Sequence, residues 1–191
     1  ALAAVSLSFP ITNLMNSLSV WIGVGINVLI AGYLGQKRQD KANSVVTMGL
    51  ILSLSVGIIV NIIVLLTMTP YYSAFTEDSR IFEYGCIYMQ ICAFMQVPNM
   101  VHIAIQKMLQ ATGNMISPMW FQIAGVVFNL VFDPLLIFGI GPFPEMGIKG
   151  AALATVLGYV LSMLISLYVI MFTKQKVKLK IKSFVFDFHM L

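Results

Sequence analysis

The sequence predicts an all-α fold: a polytopic membrane helix bundle of five transmembrane helices, with its N-terminus outside and its C-terminus inside. Three observations carry that prediction. Hydrophobic residues make up 59% of the 191 residues and charged residues only 9%, with a mean hydropathy of +0.93. The charged residues gather in short segments between long apolar stretches. Those segments alternate between cation-rich and cation-poor. A soluble domain carries about 25% charged residues, and a small one leaves much of its surface in water. Composition therefore excludes an ordinary soluble domain, a disordered chain and a nucleic-acid-binding module, despite a formal net charge of +4. Cys86 and Cys92 match no CxxC spacing and define neither a disulfide framework nor a metal site.

Each element follows from the charge gaps. A spanning helix needs about 20 mostly apolar residues. No Asp, Glu, Lys or Arg occurs from Ala1 to Gln36, and further gaps follow along the chain. The spans are predicted at 5–34, 45–69, 84–106, 117–138 and 148–172. Pro10, Pro98 and Pro134 fall inside the first, third and fourth, where each removes an intrahelical hydrogen bond and is expected to kink its helix.

Orientation comes from the connections. Lys37, Arg38 and Lys41, then Lys107, then the five lysines of the tail put nine cations on one side, against Arg80 and Lys149 on the other. The positive-inside rule turns the nine toward the cytoplasm. An N-out chain that opens directly on an apolar stretch, with no initiator Met or basic leader, reads as a fragment whose preceding helix is missing. The bundle is assigned to residues 1–173. Residues 174–191, containing KQKVKLKIKSFVF, read as a basic cytoplasmic or interfacial segment leading to a further lobe; a stop-transfer anchor explains the lysines equally well.

The spans carry polar stripes. Gly49, Ser53, Gly57 and Asn61 recur every four residues, and Ala151, Thr155, Gly158 and Ser162 mark the fifth span. Small residues permit close helix packing in lipid. Asn13, Asn27, Gln96, Asn99 and Gln106 add amides at membrane depth. They either hold helices together or line a hydrated cavity. His102 reads as a hydrogen-bonded structural histidine.

Asp133 is the one carboxylate well inside a span, which makes it a functional candidate by default. Asn129 precedes it by four residues and shares its helical face. Pro134 follows, so the carbonyl of Leu130 loses its usual amide partner. Together these are hard oxygen ligands for a small cation, Na⁺ included, and equally suit a proton acceptor. Thr155 lies at matching depth on the neighbouring span, both groups roughly 7 Å below the outer boundary at 1.5 Å per residue. The structural alternative braces the loop by pairing Asp133 with Lys149.

The stretch NLVFDPLLIFGIGPFPEMGIKGAALATVLGY, from Asn129 to Tyr159, resembles the multidrug and toxic compound extrusion (MATE) transporters. SFP at Ser8–Pro10, AGYLGQ at Ala31–Gln36 and LQATGN at Leu109–Asn114 support the resemblance. It implies spans two to six of the first of two six-helix lobes, with the first helix and the second lobe absent from this chain. It also implies a cell-membrane antiporter in which Na⁺ or H⁺ drives export of organic, often cationic amphiphilic compounds, with no cofactor. The family's coupling site then maps onto Asn129, Asp133 and Thr155. The family's first-span Asp has no counterpart. A lipid-linked glycan flippase of related architecture would favour Lys or Arg within its spans, where none is clear here. An intramembrane enzyme lacks HExxH, DDxxD and GxSxG. An assembly subunit leaves Asp133 without a purpose.

Overall fold

A computed structural model describes residues 2–76, 78–139, 144, 146–173 and 175–177, with side chains from residue 6 onward except that of residue 148. It contains five helices: α1 (Leu2–Gly35), α2 (Gln39–Phe75), α3 (Ser79–Ala111), α4 (Ile116–Phe138) and α5 (Ile148–Phe172). All five expected spans are helical. The helices α2 and α3 run beyond the apolar segments that suggested them. Helix continues through Pro10, Pro98 and Pro134, and also through Pro70 at the end of α2. Most of the basic tail, beyond Val177, lies outside the described residues.

Among the described residues, four helices are long and apolar enough to cross a membrane: α1, α2, α4 and α5. The fifth, α3, is more polar, and its position explains why. It packs against α1, α2 and α5 and touches α4 lightly. A helix enclosed by protein can carry Gln96, Asn99 and His102, which α3 does, all three buried. The outer surface is apolar instead. Leu14, Trp21 and Val28 of α1, Leu66 of α2, Leu130 of α4 and Leu164 of α5 are all exposed. In water such a surface would be an association hazard; against acyl chains it is matched.

Close packing follows the small-residue stripes. On α2, Gly49 meets Ile26 and Met108, and Gly57 meets Val97 and Met100. On α5, Gly158 sits so near Asn129 that a Cβ there would overlap the Asn129 amide oxygen, and a Cβ on Gly125 would overlap the Ser162 hydroxyl. The two stripes therefore face α1 and α3 in one case and α4 in the other. Helix α4 rests on α5, α5 rests on α3, and direct α3–α4 contact is slight.

The connections at one end of the bundle are tied together. The turn after α3 needs Gly113 at φ 83°, the left-handed region that suits glycine. There Asn114 accepts from the Ser117 amide (3.1 Å) and donates to Gln175 Oε1 (3.1 Å). The Gln39 side chain donates to the Lys176 carbonyl. Val177 is buried in the cluster with Ile30, Ala42, Val46 and Leu109. The segment leaving α5 is thus docked onto the α1–α2 and α3–α4 turns.

Candidate functional site

Cross-helix hydrogen bonds use most of the amides of the first three helices. Asn27 Nδ2 donates to the Lys107 carbonyl (2.8 Å), and Asn61 Nδ2 donates to the Ala93 carbonyl (3.0 Å). Gln96 Nε2 donates to the Met15 carbonyl (2.9 Å) and to Ser19 Oγ (2.8 Å); Ser19 Oγ in turn donates to Met15. Asn99 Nδ2 donates to Asn16 Oδ1 (2.8 Å). These bonds tie α1 and α2 to α3. They resolve half of the sequence alternative: here the polar stripes hold helices together.

Around α4 the pattern changes. Ser162 Oγ of α5 donates to the Phe121 carbonyl of α4 (3.0 Å). Asn129 Oδ1 and Asp133 Oδ1 are buried and have no hydrogen-bond partner, and the same is true of both ring nitrogens of His102. Polar atoms buried without partners cost about 1–3 kcal/mol each, so their accumulation on facing helices marks a place built for something other than packing. No ion pair joins Asp133 to Lys149 among the described residues, and the bracing alternative has no contact behind it. His102 departs from the expected hydrogen-bonded histidine. Its ring packs edge-on against Phe121, with centroids 5.6 Å apart and planes at 82°, and both nitrogens are buried without a hydrogen-bond partner.

The three expected site residues fall on two adjacent cavities. Asp133 and Thr155 line a cavity of about 150 Å³ together with Tyr88, Cys92 and Met95. Asn129 lines a larger one of about 320 Å³, one turn away, with Asn16, Asn99, His102 and Gln106. A carboxylate, a hydroxyl and a sulfur-bearing wall thus share the smaller space. The Thr155 hydroxyl donates to its own helix, to the Ala151 carbonyl (2.9 Å), so its oxygen lone pairs remain free to accept or ligate. Asn129 and Asp133 are one helical turn apart on α4, and Gly158 and Thr155 oppose them on α5. The common face predicted for Asn129 and Asp133 therefore meets α5, but each residue opens on its own cavity.

The larger cavity, lined by Asn99 and Gln106, matches the other half of the sequence alternative. Its amides were visible in the sequence as polar residues, but nothing in their spacing distinguished those tied up between helices from those on open space.

The wider comparisons fit this arrangement. The MatE family profile matches residues 1–135. The FAD transporter of Shewanella oneidensis is 28% identical over 89% of this chain and 38% of its own length. The probable multidrug resistance protein YoeA of Bacillus subtilis is 27% identical over 86% of this chain and 36% of its own. Among solved structures, an inward-facing multidrug resistance MATE family transporter of the MOP superfamily superposes with a TM-score of 0.91, at 25% identity, over 99% of this chain and 42% of that one. A MATE crystal structure in a bent conformation superposes with a TM-score of 0.92 over the same shares, again at 25% identity. The chain spans about two fifths of the length of these relatives. With a profile match over well more than half its residues and a superposition over nearly all of them, the chain belongs to the MatE family of multi-pass membrane transporters.

Proposed function

We propose that this chain forms the ion-coupling helices of a cation-driven exporter of organic compounds. In this reading the chain enters from outside and ends inside, and Asp133 and Thr155 bind Na⁺ or H⁺, with Asn129 contributing from the adjoining turn. One observation carries the reading: Asp133, one of whose carboxylate oxygens is buried without a partner, lines a small cavity together with Thr155. Two oxygen-bearing side chains of this kind are suited to a hard cation. A carboxylate out of bulk water is equally suited to holding a proton.

The mechanism follows as a two-state equilibrium. When Asp133 is neutralised by an ion, the cost of a buried, uncompensated charge falls, and the arrangement of α4 against α5 that encloses it is favoured. Cargo that binds better to the opposite arrangement reverses the shift. Coupling is then the difference in affinity of each partner for the two states. The light contact between α3 and α4 leaves α4 held mainly by α5 and supports α4 as the element that rearranges.

The relatives' names favour organic cargo: probable multidrug resistance for YoeA and FAD transport for the Shewanella oneidensis protein. The test is Asp133→Asn in the full-length protein, reconstituted in vesicles with an imposed Na⁺ or H⁺ gradient. We expect insertion and yield to be retained and gradient-driven export to vanish. Export at the parent rate would overturn the proposal.

A further inference from the structure

The smaller cavity owes its width to the spacing of α4 and α5. Asp133 and Ile137 line it from α4, one turn apart, and Ala151 and Thr155 line it from α5, also one turn apart. A close approach of the two helices lies at each end of this stretch. At the end away from the α4–α5 connection, Gly158 meets Asn129, one turn before Asp133. At the end near the connection, Gly150, beside Ala151, meets Leu136, beside Ile137. Gly150 and Leu136 are both buried. Asp133 lies three residues from Leu136 and Thr155 five from Gly150, about 4.5 and 7.5 Å along the helix axes.

The two contacts differ in kind. A Cβ on Gly158 would overlap the end of the Asn129 side chain, which can turn to another rotamer. A Cβ on Gly150 would overlap the Leu136 carbonyl group and come within 3.1 Å of the Ile137 amide nitrogen. Those are backbone atoms of α4 and have no rotamer to change. The connection holds them further: the Met146 amide donates to the same Leu136 carbonyl (3.1 Å), and the Gly147 amide donates to the Ile137 carbonyl (3.3 Å). A methyl group at position 150 must therefore push α5 away from α4, because a packed interior takes up extra volume by moving backbone.

We infer that Gly150 is a positioning residue for the coupling site: its lack of a side chain sets the α4–α5 separation at which Asp133 and Thr155 act on the same ion. The inference rests on the ion-coupling reading and names the residue that fixes the span of that site. Na⁺ would need both side-chain oxygens at bonding distance at once. A proton on Asp133 would need the Thr155 oxygen within reach of a hydrogen bond. Either requirement fails when the helices spread. Gly150 touches no ion itself and acts through the backbone of Leu136.

The test measures ion binding to the purified full-length protein in two ways: bound radioactive Na⁺, and the infrared carboxyl band that Asp133→Asn removes, followed across pH. Gly150→Ala should weaken binding of the coupling ion by about tenfold or more, the scale for groups that orient ion ligands. Gly49→Ala is the comparator. Its Cβ would crowd Ile26 (2.8 Å) and Met108 (3.0 Å) far from the site, so it should lower the thermal midpoint and leave ion affinity at the parent value. Asp133→Glu leaves Gly150 untouched and lengthens the carboxylate by one methylene; in a gap of fixed width it should also weaken the ion. In the Gly150→Ala background the longer side chain meets a wider gap, so the double variant should bind the ion more tightly than either single one, a coupling expected only of residues that share a site. Parental ion affinity in Gly150→Ala or in Asp133→Glu, an equal loss in Gly49→Ala, or a double variant weaker than both singles would overturn the inference and leave the coupling reading standing. No ion binding by the unaltered protein, or binding that Asp133→Asn leaves intact, would overturn the coupling reading and this inference with it.

Discussion

The α1–α3 half of the bundle and the α4–α5 pair draw on the same polar side chains and use them in opposite ways. In the first half, Asn27, Asn61 and Gln96 reach across helix boundaries to backbone carbonyls of Lys107, Ala93 and Met15. Each amide there fills a gap that lipid could not. In the second half, Ser162 makes one such bond, while Asn129 and Asp133 each leave an oxygen buried and unpartnered. Bonds between helices in lipid are individually modest. Several of them along α3 nonetheless define one fixed arrangement, whereas α4 leans on α5 through small residues and has slight contact with α3. The lesson is that a polar residue at membrane depth is not in itself a functional sign. The sign is a polar atom that the fold has left without a partner.

Substitutions that keep size but remove polarity should separate the halves. The largest loss of stability is expected for Gln96→Leu, which removes bonds to both Met15 and Ser19 within a buried network. About 1–2 kcal/mol is the scale for such interhelical bonds at their strongest. It would appear as a lower thermal midpoint of the full-length protein in detergent. Asn61→Leu removes a single bond to the Ala93 carbonyl and should cost about 0.6 kcal/mol. Asn129→Leu should cost the least and could raise the midpoint, because it deletes a buried acceptor that has nothing to lose. If Asn129→Leu destabilised as much as Gln96→Leu, the distinction between the halves would collapse.

Much of this fold was legible from charge placement alone. The apolar gaps located five helices, and the four-residue recurrence of Gly49, Ser53, Gly57 and Asn61 identified a packing face that does meet α1 and α3. The stripe on α5 likewise identified the face that meets α4. Asp133 stood out because so few charges compete with it. Helix ends were less legible, since α2 and α3 carry their hydrogen bonding on into polar flanks such as Gln39–Ser44 and Ser79–Glu83, where hydropathy gives no signal. The division of Asn129 from Asp133 and Thr155 between two cavities was not legible either. Sequence spacing places residues on one helix face, but which side chains a neighbouring helix divides depends on where a glycine such as Gly158 lets it approach. His102 was misread for the same reason. A buried histidine normally finds a partner, and only the packing of Phe121 shows that this one did not.

The central claim is that Asp133 of α4, with an unpartnered carboxylate oxygen, and Thr155 of α5 respond to the coupling ion, while α1–α3 stay fixed. Backbone hydrogen exchange of the full-length protein, measured with and without Na⁺ at constant pH and across a pH step, tests this directly. The account predicts that protection changes under at least one of the two ions and concentrates in residues 129–158, around Asp133 and Thr155, with α1–α3 unaltered. Changes centred on the Gln96 and Asn61 contacts, or no change under either ion, would contradict it.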